Sequence, residues 1–190
     1  MGHDDAKELW AVDVKAGKIA ATIAIGAGPE YVIYDAAGDR LFQNIKSDDT
    51  VLVIAPGTNA VTATWSTKPA KSPHGLAFEA ATKRLFVAGT NGELAILDAT
   101  SGKVTGSVKI ATGIDQIAFD AGLRRVYCAS RSGVISVVQV TDEGATSLGD
   151  VKTAPGAKTL AVDPGSHSVW TAYADATGAH VLKLDVPGRY

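Results

Sequence analysis

The chain has 190 residues, of which 46% are hydrophobic and 20% charged, and its formal net charge at pH 7 is −2. This composition is that of a globular protein with one ordinary hydrophobic core, and it excludes an intrinsically disordered chain. The nearly balanced charge lacks the basic excess that a nucleic-acid-binding face requires, so we expect no nucleic-acid partner.

Simple counts also constrain crosslinking, membrane insertion and export. Cys128 is the single cysteine, so an intrachain disulfide is impossible, and its apolar neighbours predict a buried thiol. No apolar run reaches the length that spans a bilayer, so we expect no membrane span. Residues 1–7 have neither the basic nor the apolar region of a signal peptide, which leaves the cellular compartment unknown.

In chain order, the sequence is a series of short runs rich in Val, Ile, Leu, Tyr and Phe, separated by Gly, Asp, Asn and Pro. Such runs predict β-strands joined by turns, and no stretch has the periodicity of an amphipathic helix. Two predicted strands, 8–14 and 18–25, come first. Three units of four strands follow, whose strands we name A, B, C and D. The chain ends with predicted strands A, B and C over 158–162, 168–173 and 180–186.

The units recur at a nearly constant interval. Leu41, Leu85, Val126 and Val169 occupy equivalent places in strand B and lie 44, 41 and 43 residues apart. Four short antiparallel strands every 40 to 45 residues or so are typical of β-propeller blades, so the sequence predicts an all-β propeller. It divides into a partial blade, three full blades and a second partial blade: 1–27, 28–71, 72–112, 113–155 and 156–190.

The two partial blades leave the closure of the propeller open. The first could complete the last, which gives about four blades, or both could stay separate, which gives about five. An open arc would expose strand edges and an apolar blade face, which soluble proteins avoid, so a homodimer through the exposed blade edges is a further alternative. The abrupt start also allows a larger propeller that has lost blades, or a chain cut from a longer one.

One long stretch carries the features of a known repeat. Residues 9–61, LWAVDVKAGKIAATIAIGAGPEYVIYDAAGDRLFQNIKSDDTVLVIAPGTNAV, resemble the YVTN-type β-propeller repeats of bacterial YncE-like proteins and of lactonase-like propellers. The resemblance extends over essentially the whole chain and implies the propeller fold. It does not imply one activity, because propellers of this type bind and transform different molecules. Similar propellers are often periplasmic or secreted.

Polar residues recur where strand A begins. Strand A lines the central channel of a propeller, and the D-to-A and B-to-C connections lie at the same end of that channel. The first positions of strand A in successive units are Glu30, His74, Asp115 and Lys158, again 44, 41 and 43 residues apart. We therefore expect these four side chains on neighbouring blades at one mouth of the channel.

Two carboxylates and an imidazole at a channel mouth could bind a metal ion. We predict Glu30, His74 and Asp115 as ligands of Ca²⁺, or alternatively of Zn²⁺ or Mn²⁺, with no organic cofactor. The metal would polarise a carbonyl group and activate water, with His74 and Lys158 as catalytic residues and Lys158 next to the developing oxyanion. Asp48-Asp49, in a B-to-C loop at the same end, could add ligands. Metal-dependent propeller lactonases, which the chain resembles in fold, also place their ligands at the channel ends of inner strands.

These residues lead to two hypotheses about function. The first is a metal-dependent hydrolase of the lactonase type that acts on a small cyclic ester such as an acyl-homoserine lactone. The second is a non-catalytic propeller that binds a small-molecule ligand or a protein partner. The second hypothesis stands because polar residues also surround channel mouths where no chemistry takes place.

Other noticeable residues lie away from the mouth. His3 lies near the N-terminus, where we expect no fixed structure, and His167 lies in an A-to-B turn at the opposite end, where we expect it to be exposed. Arg40, Arg84 and Arg125 occupy equivalent places before strand B. Their regular recurrence predicts a structural charge at the end of the propeller opposite the mouth.

Overall fold

The computed structural model describes residues 1–185, and within them the regular secondary structure consists of β-strands in five antiparallel sheets. Each sheet is one blade, numbered here in chain order. The strands of blades 1 and 2 are β1 (Gly2–His3), β2 (Glu8–Asp13), β3 (Lys18–Ala24), β4 (Pro29–Asp35), β5 (Arg40–Ile45), β6 (Thr50–Ala55) and β7 (Ala60–Ser66). Blade 3 consists of β8 (Pro73–Glu79), β9 (Arg84–Gly89), β10 (Glu93–Asp98) and β11 (Val104–Lys109). Blades 4 and 5 consist of β12 (Ile114–Asp120), β13 (Arg125–Ser130), β14 (Val134–Val140), β15 (Ala145–Lys152), β16 (Thr159–Val162), β17 (Val169–Asp175) and β18 (Gly178–Leu184).

Strands within a blade follow one another in space as they do in the sequence. Each pairs with its neighbour in the chain, as expected for hairpins built on Gly- and Asp-rich turns. The inner strands β4, β8, β12 and β16 contact one another in that order. The fold is thus an all-β propeller with five blades, which confirms the predicted fold class and the alternative with separate partial blades. Within residues 1–185, no helix is long and apolar enough to cross a bilayer.

As far as residues 1–185 show, the two terminal blades have three strands each. Blade 1 begins with the short strand β1, which pairs with β2 and stands in the place of strand B. The expectation that His3 is unstructured is therefore wrong: its ring packs against Trp10, with 4.5 Å between the ring centroids. Blade 5 contains strands A, B and C, and the last residue of the predicted third strand, Val186, lies outside the described residues.

The core lies where successive blades pack face to face. Phe42, Phe86 and Tyr127 occupy the same place in strand B of blades 2, 3 and 4, and they are only 0%, 0% and 3% exposed. Each packs on apolar residues of the next blade: Phe86, for example, shares a cluster with Val126 and Val138 of blade 4. Burial of an aromatic side chain contributes about 1.5–3 kcal/mol, so these interfaces are a main source of stability.

The terminal blades present the same faces without a cover among the described residues. Trp170 occupies the same position in strand B of blade 5 as the three buried aromatic residues do in their blades, but it is 40% exposed. Val181 on the same face is also largely exposed. In blade 1, Val12 has the place of the buried Leu97 and is also exposed. Among residues 1–185, both terminal blades therefore carry apolar faces of the kind that pack together between the other blades.

The A-to-B turns connect neighbouring blades at the end opposite the predicted mouth. A residue one position before strand B in blades 2 to 4, and two positions before it in blade 5, has a positive φ, and in two blades its side chain reaches the preceding blade. Arg124 Nε lies 3.2 Å from Glu79 Oε1, and His167 Nδ1 lies 2.9 Å from Asp120 Oδ2. The prediction of an exposed His167 is wrong, because its ring is half-buried against a carboxylate with no exposed surface.

Substitution of two equivalent residues measures what the blade interfaces contribute. We expect Phe86→Ala to lower the free energy of unfolding by about 3–5 kcal/mol, because it opens a cavity between two blades. Trp170→Ala, the matched control, should cost clearly less, because its ring already contacts water. Urea unfolding monitored by circular dichroism measures both values. Equal losses, together with a dimer mass in light scattering, would contradict this expectation and show that a second copy covers the Trp170 face.

Candidate functional site

The predicted site residues lie at irregularities of the inner strands. At the start of β4, β8 and β12 the pairing with strand B shifts in register, and Glu30, His74 and Asp115 are left without a partner in the ladder. Lys158 lies just before β16. A bulge of this kind turns side chains away from the regular alternation of the strand, and bulges are frequent next to functional sites. The recurrence of polar residues at strand A thus coincides with a recurring backbone feature.

The four residues form two separate clusters. In the first, Glu30 Oε1 lies 2.7 Å from Lys46 Nζ and 3.6 Å from His74 Nε2. We call Glu30, Lys46 and His74 the Glu30 cluster. Each cluster joins two neighbouring blades through one carboxylate.

In the second cluster, Asp115 Oδ1 accepts a hydrogen bond of 2.6 Å from Arg131, and Asp115 Oδ2 lies 3.5 Å from Lys158 Nζ. We call Asp115, Arg131 and Lys158 the Asp115 cluster. The structure therefore brings Glu30 close to His74 and Asp115 close to Lys158, but it does not unite the four residues around one point.

Pairing of opposite charges shifts the pKa of one group in each cluster, Lys46 in the Glu30 cluster and Asp115 in the Asp115 cluster. Burial by itself would raise the pKa of the Asp115 carboxyl, but the hydrogen bond from Arg131 and the charge of Lys158 outweigh it and hold that pKa below its usual value. The hydrogen bond to Glu30 likewise raises the pKa of Lys46. Asp115 is therefore ionised at neutral pH, and both carboxylates already have a cationic partner.

The imidazole of His74 has a defined orientation. Its Nδ1 lies 2.9 Å from the backbone oxygen of Ser72, and since that oxygen can only accept, Nδ1 carries the hydrogen. Nε2 then faces Glu30 Oε1. His74 can thus act at the mouth only through Nε2, as an acceptor when the ring is neutral or as a donor when it is protonated.

Blade 2 holds the segment that carries His74. The buried amide of Asn44 donates to the backbone oxygens of His74 and Gly75, both at 3.1 Å. The side chain of Asp49 accepts a hydrogen bond of 2.7 Å from the backbone of Ser72. Asp49, which the sequence suggests as an additional metal ligand, thus holds the chain beside the site, while Asp48 accepts a hydrogen bond from its neighbour in the B-to-C loop.

Side chains of two inner strands that are not neighbours approach each other at the mouth. Gln116 Nε2 of β12 lies 3.5 Å from the hydroxyl of Tyr31 of β4, although β8 stands between these strands in the order of the blades. The side-chain oxygen of Gln116 accepts a hydrogen bond of 2.9 Å from the backbone of Leu160. The partly exposed ring of Tyr31 therefore extends from the blade of Glu30 towards the blade of Asp115.

The described residues do not present a ready set of metal ligands. Within residues 1–185 there is no group of three or more His, Cys, Asp or Glu side chains that could hold a metal ion. A cation bound by Glu30 or Asp115 would have to compete with Lys46 or Arg131. Metal binding by Glu30, His74 and Asp115 stays a prediction, which metal analysis can test.

Several contacts at the mouth escaped the analysis of the sequence, which placed Arg131 in a B-to-C loop at this end but did not pair it with Asp115. Lys46 and Arg131 directly follow strand B at equivalent places, so the repeat that located Glu30 and Asp115 could also have located their partners. Asn44 was detectable as well, because its equivalents Ala88 and Ala129 show that this place is otherwise apolar. The contact between Tyr31 and Gln116 had no signal in the sequence, because it depends on the width of the channel.

These features define the chain as a β-propeller with a mixed-charge channel mouth, and solved structures share its fold. It aligns with a chain of the crystal structure of the mitotic checkpoint complex (TM-score 0.82, 13% identity, 97% of this chain and 57% of that chain). It also aligns with Kuenenia stuttgartiensis hydrazine synthase (TM-score 0.73, 16% identity, 83% of this chain and 46% of that chain) and with the WD40 β-propeller domain of Doa1 (0.72, 11%, 90% and 55%). The chain spans about half the length of these proteins, and such low identities show the fold alone. The sequence matches no protein-family model and no curated protein.

The pKa of Asp115 provides a direct test of the Asp115 cluster. We expect Arg131→Met to raise this pKa, because burial of the carboxyl is then opposed by Lys158 alone. A carboxyl with a depressed pKa stabilises the fold above about pH 4, and this contribution is lost as the pH falls through the lower, folded-state value. NMR titration of the Asp115 carboxyl carbon measures the shift, with Lys103→Met at a distant turn as the control. An unchanged pKa in Arg131→Met would show that Arg131 does not pair with Asp115 in solution.

Proposed function

We propose that this chain is a non-catalytic binding module whose channel mouth, formed by the Glu30 and Asp115 clusters, binds a protein partner through charged groups of both signs. One observation carries the proposal: each carboxylate of the mouth is already paired with a lysine or an arginine that directly follows strand B. The mouth is therefore an alternating array of charges and not an acidic ligand set.

Such an array suits reversible recognition of a protein surface. Lys46, Lys158 and Arg131 are all partly exposed, and exposed ion pairs contribute only about 0–1 kcal/mol. A partner that offers a carboxylate to Arg131 and a cation to Asp115 can therefore replace the internal pairs at little cost. Charges arranged in this way supply specificity and fast association more than affinity.

Tyr31 gives the mouth an apolar element. Its ring is partly exposed, and its hydroxyl lies beside the side chain of Gln116. Tyrosines surrounded by polar groups are enriched among the residues that dominate binding energy at protein interfaces. Tyr31 is therefore our choice for the centre of the contact. Propellers occur in assemblies such as the mitotic checkpoint complex, which supports a scaffold role in general terms and identifies no partner for this chain.

A site-specific photocrosslinker tests this proposal. We would place it at Tyr31 in the mouth and at Ala80 in an A-to-B turn at the opposite end, and identify captured proteins by mass spectrometry. The capture at Tyr31 should disappear in a Lys46→Glu/Arg131→Glu variant, because reversal of both cations repels the acidic groups of the partner. It should persist in the matched control Lys18→Glu/Lys103→Glu, which changes the net charge equally at the start of β3 and directly before β11.

The same experiment can reject the binding module. Capture at Ala80 that equals capture at Tyr31 would place the interface elsewhere. Capture at Tyr31 that is equal in both charge-reversal variants would show that the mouth cations have no role. Purified complexes should also dissociate as the salt concentration rises, since exposed charges are screened within about 10 Å at 0.1 M salt.

A second candidate is the metal-dependent hydrolase of the lactonase type. It rests on the close approach of His74 Nε2 and Glu30 Oε1, with His74 Nδ1 bonded to a backbone oxygen as in many metal-ligating histidines. The resemblance to YVTN-type, lactonase-like propellers supports the same candidate. Glu30, His74 and Asp115 would hold Ca²⁺, or alternatively Zn²⁺ or Mn²⁺, and Lys158 would stabilise the oxyanion formed from a small cyclic ester such as an acyl-homoserine lactone.

Metal analysis separates the two candidates. For the hydrolase we expect about one metal ion per chain after dialysis, and loss of both metal and lactone hydrolysis in His74→Ala/Asp115→Ala. Glu143→Ala, a change in the exposed turn between β14 and β15, serves as the control and should keep both. A metal-free protein that does not hydrolyse lactones in the presence of Ca²⁺, Zn²⁺ or Mn²⁺ would eliminate the hydrolase.

A further inference from the structure

Two equivalent blade interfaces are filled differently. Between blades 2 and 3 the indole of Trp65, from strand D, packs against Phe42 with 5.6 Å between the ring centroids. Between blades 4 and 5 the equivalent residues are Tyr127 and Val151, and Val151 is 42% exposed. Where a valine replaces the indole, a groove of about 290 Å³ remains beside Tyr127.

The walls of this groove are apolar, and its floor holds an unpaired polar group. Val137, Val151, Val169 and Leu184 contribute the apolar lining. Tyr127 is 3% exposed, and its hydroxyl forms no well-aligned hydrogen bond within residues 1–185, although the Arg125 side chain lies close enough to lower its pKa. A buried hydroxyl left without a partner costs about 1–3 kcal/mol. The groove therefore provides a donor or acceptor that a bound molecule could satisfy.

Arg125, at the rim of the groove, lacks the partner of its equivalents. Arg40 and Arg84 each bond the carboxylate that ends strand A of their own blade. In blade 4 that carboxylate belongs to Asp120, which bonds His167 of blade 5 instead. Arg125 forms no ion pair among the described residues, and its Nε donates to the neutral amide oxygen of a glutamine in β14 at 3.2 Å. The sequence predicts a structural role for the charge of this arginine, but in blade 4 the charge is available to bind an anion.

The remaining polar groups of the groove leave the charge of Arg125 in excess. Lys183 and Asp185 also line it, but they pair with each other at 2.7 Å. Burial raises the pKa of the Tyr127 hydroxyl, against the opposing effect of nearby Arg125, so the hydroxyl remains protonated at neutral pH and can donate. The guanidinium of Arg125 and the hydroxyl of Tyr127 thus lie beside an apolar groove. The indole of Trp65 fills the equivalent space between blades 2 and 3.

We propose that the groove between blades 4 and 5 binds a small aromatic carboxylate. The ring of this ligand lies at the place in the groove that is equivalent to the place of Trp65 in the interface between blades 2 and 3. Its carboxylate accepts hydrogen bonds from Arg125 and from the hydroxyl of Tyr127. Apolar walls with a few polar groups that fix orientation are the usual composition of small-molecule sites. The site is separate from the channel mouth, and it does not depend on the function proposed for that mouth.

Indole-3-acetate is a suitable probe, because its ring matches Trp65 and its carboxylate matches Arg125. With the whole chain, we expect saturable chemical-shift changes in β13, β14, β17 and β18 in ¹⁵N-resolved NMR titrations. Tyr127→Phe should weaken binding about fivefold to tenfold, and Arg125→Gln by about tenfold or more, as expected for the loss of a neutral and a charge-assisted hydrogen bond. The neutral analogue indole-3-acetamide should also bind about tenfold more weakly.

A variant that fills the groove provides the sharpest control. Val151→Trp places an indole where blade 2 has its own, and we expect it to abolish binding while the circular dichroism spectrum stays unchanged. Leu148→Trp adds the same side chain at an exposed place in the same strand and should bind as the unmodified protein does. Should Val151→Trp fail to fold, Tyr127→Phe and indole-3-acetamide decide the question. No saturable binding, equal binding of acid and amide, or full binding by folded Val151→Trp would each overturn the proposal.

Discussion

Face-to-face packing of successive blades is the interaction on which the rest of this molecule depends. An aromatic residue of strand B packs on the apolar surface of the next blade in the interfaces between blades 2 and 3, 3 and 4, and 4 and 5, and the strands of each blade pair only with one another. No blade can bury its faces alone, so each is stable because its neighbours cover it. The exposed Trp170 shows the same kind of apolar surface without a neighbouring blade packed on it among the described residues.

This packing also decides where chemistry or recognition can occur. Because blades repeat at the same depth, the bulges that begin the inner strands bring Glu30, His74 and Asp115 to one mouth. The interfaces themselves become sites where one side chain is too small, as Val151 is in the place of Trp65. A single repeat thus produces two kinds of site, one polar and central and the other apolar and peripheral.

The repeat made the fold and the location of the mouth predictable. It did not predict which charged side chains form ion pairs there. Strand spacing placed Glu30 next to His74 and Asp115 next to Lys158 correctly at the level of neighbouring blades. The division into two clusters was not evident, because the cations Lys46 and Arg131 approach from the B-to-C connections. The environment of His167 was missed for a similar reason: the buried carboxylate that it contacts belongs to the preceding blade.

The sequence by itself determined the β-propeller, its repeat length and the polar character of the mouth, because these follow from local alternation, turn residues and a fixed period. Only the tertiary structure decided which charges neutralise each other, which of three equivalent arginines lacks a carboxylate, and which blade interface keeps an open groove. Those outcomes depend on distances between residues of different blades. Such distances arise from packing and side-chain size, and a periodic pattern of residue types does not specify them.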